Sequence, residues 1–72
     1  GQSCRDRIKI LRDEGFFDAK RSGPEIVKGL EKKGWTHNNN QVQASLSSMF
    51  PAGEIQRMKD GGSFKYYYDR VK

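Results

Sequence analysis

The sequence is poor in the residues that build covalent or metal-linked scaffolds. Its 72 residues include one cysteine, Cys4, and one histidine, His37. A single cysteine cannot form an internal disulfide framework or a cysteine-based zinc site, so we expect no metal centre and a reducing intracellular compartment, either cytoplasmic or nuclear. Long apolar runs are also missing, which argues against a membrane span or a hydrophobic signal segment in this stretch.

The side-chain groupings on which catalysis depends are missing as well. Cys4 and His37 are far apart in the chain, and the acidic residues are scattered, mostly beside basic ones. An active site needs a nucleophile, a base and an orienting group that converge. No glycine-rich phosphate loop follows a strand. We therefore expect no enzymatic activity, no cofactor and no small-molecule substrate.

Charge is absent from one long stretch of an otherwise charged chain. No Asp, Glu, Lys or Arg occurs from Gly34 to Gly53, although these types make up 32% of the sequence. The formal net charge of the whole chain is +5, which favours a polyanionic partner such as nucleic acid. The cations that would attract such a partner must therefore lie on either side of the neutral stretch.

The length of 72 residues predicts a single domain near the lower limit for independent stability. About a third of the residues (33%) are apolar, enough for a core of three short helices and a hairpin. The sequence starts with Gly1 rather than Met, which would suit either a domain of a longer protein or a residue left by tag cleavage.

The first helix is predicted over about residues 4–14. Cys4, Ile8 and Leu11 recur at the spacing that places them on one helical face. The following residues, Phe16 to Lys20, would form a short strand or an extended connection.

A second helix is predicted over about residues 23–33. Ser22 and Glu25 have the spacing of a capping box, in which each side chain bonds the backbone N–H of the other residue. Pro24 suits the first turn, where its missing N–H is harmless, and Gly34 ends the helix.

The third helix is predicted over about residues 39–50. The asparagines at 38–40 offer N-caps, and Val42, Leu46 and Met49 form one apolar stripe. The opposite side of this helix is polar and uncharged, which predicts a surface presented to a partner.

Two strands are predicted after Pro51, over about residues 54–58 and 64–68. Between them, Asp60-Gly61-Gly62 is typical of a tight hairpin turn. Alternation along the strands would close the core with Ile55 opposite Tyr66 or Tyr68.

The order of three helices and a hairpin with a glycine-rich tip resembles the winged helix-turn-helix. The resemblance is carried by the Ser22-Gly23-Pro24-Glu25 start, Gly34, the stripe of Val42, Leu46 and Met49, the Gly53-Glu54-Ile55 entry, and the Asp60-Gly61-Gly62 tip. It implies an α+β, mostly helical domain over residues 1–72, with a three-helix core and a C-terminal two-stranded wing. It also implies double-stranded DNA binding, with the third helix in the major groove and the wing on the backbone, in a transcription-related or other DNA-associated protein.

Side chains on the polar side of the third helix are the expected base contacts. Asn and Gln pair well with adenine, and an alanine methyl can contact a thymine methyl. The candidate base-reading residues are Asn39, Asn40, Gln43, Ala44 and Ser47. For Asn39, we give a role as the helix N-cap at least as much weight as a base contact.

Phosphate contacts must come from outside the third helix, because it carries no cation. The candidates are Lys20, Arg21, Ser22, Lys28, His37, Arg57, Lys59 and Lys65. About four to six such contacts would give modest affinity for a monomer, so we expect a homodimer or a tethered second domain where binding is tight.

Two other binding roles are compatible with the sequence. A winged helix can be a protein-interaction module within a larger assembly, and the uncharged third helix and Met58 favour that alternative. Single-stranded nucleic acid is another candidate partner, with Tyr67 and Trp35 as stacking platforms. No pattern in the sequence indicates which DNA sequence would be bound, or whether binding would activate or repress transcription.

Overall fold

The computed structural model describes residues 3–69 and places three helices ahead of a two-stranded antiparallel hairpin. The elements are α1 (Cys4–Asp13), a 3₁₀ turn (Phe16–Asp18), α2 (Gly23–Glu31), α3 (Asn39–Met49), β1 (Gln56–Asp60) and β2 (Ser63–Tyr67). The fold class predicted from the sequence is thereby confirmed. Each helix ends one or two residues before its predicted end, and both strands lie closer to the turn than predicted. Within residues 3–69, no helix has the length and hydrophobicity of a membrane span.

The core lies where α3 packs against α1 and α2. The predicted stripe of Val42, Leu46 and Met49 is completely buried, at 0% exposure for each residue. The other buried hydrophobic side chains are Ile8, Leu11, Phe17, Ile26, Leu30, Ile55 and Tyr66. One side of α3 is therefore fixed in the core, which leaves its opposite side facing outward.

The link between α1 and α2 differs from the predicted strand or extended connection. Phe16–Asp18 is a 3₁₀ turn, and it places Phe17 in the buried core. Extended backbone begins at Ala19, and Arg21 exchanges two backbone hydrogen bonds of 2.8 and 2.7 Å with Tyr66. Arg21 thus adds a one-residue third strand to the hairpin and ties the start of α2 to β2.

The hairpin turn is shorter than the sequence implied. The last residue pair of the two strands is Asp60 with Ser63, so only Gly61 and Gly62 connect them. Gly61 has a φ of 67°, the left-handed value that a type II′ turn requires at its first position. The resulting register places Tyr66 on the core side of β2, where it is buried.

The base of the wing is held to α1 by charge. The Glu54 carboxylate accepts hydrogen bonds from Arg5 at 2.9 and 2.6 Å and lies 3.0 Å from Lys9 Nζ. Arg12 donates to the backbone carbonyl of Glu54 at 3.0 Å. Hydrogen bonds from Lys9 and Arg5 hold the pKa of Glu54 below its ordinary value of 4.5. This contact fixes where the chain leaves the helical core and enters β1.

We predict that Glu54→Gln lowers stability at neutral pH and flattens its dependence on acid. A carboxylate with a depressed folded pKa stabilises the fold above its unfolded pKa, and that contribution is lost as pH falls through the folded pKa. Urea unfolding between about pH 3 and 7 measures this. Glu31→Gln is the control, because Glu31 is exposed and has no ion pair among residues 3–69. Parallel pH curves for wild type and Glu54→Gln would contradict the assignment.

We predict that Leu46→Ala lowers the free energy of unfolding by about 2–5 kcal/mol, since it leaves a cavity at the centre of the core. The adjacent Ser47→Ala change lies on the exposed side of α3 and should alter stability by less than about 0.5 kcal/mol. Urea denaturation followed by circular dichroism gives both values. Similar losses in the two variants would mean that α3 is not oriented as described.

Candidate nucleic-acid interface

The start of α3 is fixed by Asn38. Its side-chain oxygen accepts a hydrogen bond from the Gln41 N–H at 2.8 Å, and the Gln41 side chain accepts from the Asn38 N–H at 3.2 Å. This reciprocal pair is a capping box, with Asn and Gln in the usual roles of Ser and Glu. The capping role is therefore filled by Asn38, and the side chains of Asn39 and Asn40 are not needed for it.

The outward side of α3 is polar and accessible over its length. Asn39, Asn40, Ala44 and Ser47 are exposed, and Gln43 is half-buried. The five base-reading candidates therefore share one surface, which we call the α3 face. It carries no ionised side chain, because the neutral stretch of the sequence covers the whole helix.

A groove of about 370 Å³ adjoins the N-terminal half of the α3 face. It lies between the starts of α2 and α3 and the tip of the wing, and its lining includes Gly23, Asn39, Gln43 and Phe64. A Cβ added at Gly23 would collide with the Gln43 side-chain nitrogen and approach Asn39 Oδ1 to 3.0 Å. A glycine at this position therefore lets the two amide side chains lie against the start of α2.

His37 is tied to its own chain in the turn before α3. Arg7 donates to His37 Nε2 at 3.1 Å, so the proton of the neutral ring is on Nδ1, which donates to Gln41 Oε1 at 3.2 Å. The Arg7 guanidinium also stacks on Trp35, 5.1 Å from the ring centroid. Both ring nitrogens of His37 are thus occupied, and Trp35 has one face covered.

Two other phosphate-contact candidates are occupied at the start of α2. The Ser22 hydroxyl accepts from the Glu25 N–H at 3.4 Å, while the Ser22 N–H donates to Glu25 Oε1 at 2.9 Å, as the sequence predicted. That backbone hydrogen bond is the main cause of a lowered pKa at Glu25. Arg21 donates to the Phe16 carbonyl at 2.9 Å and lies 3.8 Å from Glu25 Oε2.

The remaining cations differ in whether an acid neutralises them. Lys65 Nζ is 3.6 Å from Asp60 Oδ2 on the wing. Lys20, Lys28 and Lys59 are exposed and have no ion pair with any residue in the described range. Their charges are therefore open to an outside anion.

Arg57 is held by aromatic rings. Its guanidinium carbon lies 4.2 Å from the centroid of Phe50, just after α3, and 4.3 Å from the centroid of Phe64 on β2. No pattern in the sequence alone indicates this contact. The alternation of β1 and β2 places Arg57 and Phe64 on one face of the hairpin, but their contact with Phe50 depends on how the hairpin packs on α3.

The fold is that of a winged helix-turn-helix domain. It has three helices followed by a two-stranded hairpin, with a one-residue strand at Arg21 paired to that hairpin. No protein-family model matches the chain, and no curated protein matches it in sequence.

Among solved structures, the chain is similar to the ferric uptake regulator from Francisella tularensis, solved with iron. The TM-score is 0.81 at 23% sequence identity, and the similarity covers 100% of this chain and 55% of that one. This chain therefore spans about half the length of that protein. Iron is a feature of the regulator's structure; within residues 3–69 of this chain, no cluster of three His, Cys, Asp or Glu side chains could hold a metal ion.

We predict that Asn38→Ala destabilises the domain by about 0.5–2 kcal/mol, the usual cost of losing an N-cap. Asn40→Ala is the matched control, because Asn40 is exposed and is not the cap; its effect should stay within about 0.5 kcal/mol. Thermal and urea unfolding of the two variants make the comparison. A larger loss for Asn40→Ala than for Asn38→Ala would show that the helix begins elsewhere.

Proposed function

We propose that this domain binds double-stranded DNA, with α3 in the major groove and the wing along the backbone. The observation that carries the proposal is the exposed, uncharged α3 face. Exposed lysines before α2, on α2 and on the wing, which no acid of the described chain neutralises, supply the positive charge. The ferric uptake regulator that shares this fold is named as a regulator, which supports a transcription-related role in the cytoplasm. The nuclear alternative has no such support.

Base contacts would come from the N-terminal half of α3. Asn and Gln side chains can each donate to N7 and accept from N6 of adenine. Asn39, Asn40 and Gln43 lie on the first turns of the α3 face. Asn39 and Gln43 also line the groove beside α2. Ala44 is small enough for close approach to a thymine methyl, and the Ser47 hydroxyl can pair with more than one base.

Phosphate contacts would come from cations on both sides of α3. Lys20 and Lys28 belong to the α2 side, and Arg57 and Lys59 belong to the wing. About four contacts imply that log K falls with log salt at a slope of roughly −3.6, since each phosphate contributes about −0.9. About four phosphate contacts give modest affinity for one copy of the domain, so tight binding would need a homodimer or a second tethered domain.

A binding role agrees better with the side chains than catalysis does. Cys4 is half-buried and packs against the core, while His37 has both ring nitrogens in hydrogen bonds within the chain. Neither residue is therefore presented as a nucleophile or a base.

A second candidate is a winged helix that binds another protein. The favouring observation is that three large hydrophobic side chains are exposed near the wing: Phe50, Met58 and Phe64. Single-stranded nucleic acid has less support, because Tyr67 and Trp35 are both half-buried. A protein-binding role would give weak DNA binding without any dependence on the α3 face.

We predict that Asn40→Ala/Gln43→Ala reduces preference among duplexes by about 1–3 kcal/mol per lost base contact. Lys20→Ala/Lys59→Ala should instead weaken all duplexes alike and flatten the salt slope by about 1.8. Fluorescence anisotropy with random and AT-rich duplexes at several salt concentrations separates the two effects.

The control for charge is Lys33→Ala, which removes a cation that Glu14 already neutralises at 2.5 Å. It should change neither the preference nor the salt slope. Equal behaviour of the amide and lysine double variants would contradict direct base reading, and absence of binding by the wild type at low salt would contradict the proposed function itself.

A further inference from the structure

Arg57 differs from the other arginines that the structure describes. The other four each donate to acceptors within the chain. Arg5 donates to Glu54 and Ser48, and Arg7 donates to His37. Arg12 donates to Asp13 and to the Glu54 carbonyl, and Arg21 donates to the Phe16 carbonyl. Among residues 3–69, Arg57 has no hydrogen-bond acceptor and no ion pair. Its donors are therefore left for an acceptor outside the described chain.

The two rings beside Arg57 restrict it without using its donors. The ring centroids of Phe50 and Phe64 lie 4.2 and 4.3 Å from the guanidinium carbon, within the distance of a cation–π contact. Neither ring offers an oxygen acceptor, so the N–H groups of Arg57 stay available to one. Both rings are unusually accessible for phenylalanine, at 39% and 41% exposure. Neither ring belongs to the buried core, and each contacts the Arg57 guanidinium.

We propose that the Phe50–Arg57–Phe64 stack is a preorganised phosphate fork that sets how α3 lies on the duplex. This inference rests on the proposed DNA binding and names the residues that position it. A planar guanidinium can donate two parallel N–H bonds to the oxygens of one phosphate, which fixes orientation as well as distance. A lysine supplies charge at a point and cannot fix an orientation in this way.

The position of the stack agrees with such a role. Phe64 lines the groove that also contains Asn39 and Gln43, so the fork begins beside the base-reading part of α3. Phe50 immediately follows the C-terminal end of α3. A phosphate held between these points would fix α3 relative to the backbone, and side chains already confined by two rings lose less freedom on binding.

The experiment is a double-mutant cycle on Arg57 and Phe64, read by anisotropy with a random-sequence duplex pool. Arg57→Gln should weaken binding about 10- to 100-fold and flatten the salt slope by about 0.9. Arg57→Lys keeps the charge and should leave the slope unchanged while still weakening binding. Phe64→Leu should weaken binding about two- to fivefold, the range of an exposed cation–π contact.

The coupling between the two positions is the decisive quantity. Phe64→Leu should have no further effect in the Arg57→Gln background, and Phe64→Tyr should retain wild-type binding because it keeps the aromatic face. Met58→Leu is the matched control, since Met58 is equally exposed at 41% but lies on the other face of the hairpin. It should bind as the wild type does.

Three results would overturn the inference. Arg57→Lys with wild-type affinity would show that only charge matters, and an undiminished Phe64→Leu effect in the Arg57→Gln background would show that Phe64 acts independently. Reduced thermal stability with unchanged affinity in both variants would make the stack a structural link only. If any of these results is found while the wild type still binds DNA, only the inference about Arg57 fails. If the wild type does not bind DNA at all, the proposed function itself fails.

Discussion

Burial of the α3 stripe is the interaction on which the rest of the structure depends. Val42, Leu46 and Met49 are fully buried, so the rotation of α3 about its own axis is set by the core. Each of these residues is worth several kcal/mol when truncated, which is a large fraction of the stability of a small domain. The polar side of the helix is therefore presented outward as a consequence of packing.

The cations divide into two groups with different surroundings. Those on α1 are joined to the wing entry and to the turn before α3, through Glu54 and His37. Lys20, Lys28 and Lys59, which lie before α2, on α2 and on β1, have no ion pair within residues 3–69. This basic chain therefore keeps several exposed cations without an acidic partner in residues 3–69, while its α3 face carries no charge of its own.

The sequence could predict the features that depend on residues close together along the chain. The Ser22–Glu25 capping box and the stripe of α3 involve residues within one or two helical turns, and both were predicted correctly. The Arg21–Tyr66 bridge joins segments far apart in the chain, so no local pattern signals it. Arg57, Phe50 and Phe64 are near one another in sequence, but their contact depends on how the hairpin packs on α3. The sequence identified Asn38 only as one of three possible caps, because choosing among them depends on where the core fixes α3.

The most direct test of the account is amide chemical-shift mapping of the domain with duplex DNA at low salt. The α3 face and the wing should contain the largest shifts, concentrated between Asn39 and Ser47 and between Arg57 and Phe64. Shifts confined to α1 and the C-terminal half of α2, or no shifts at all, would contradict the claim that the outward side of α3 is the binding surface.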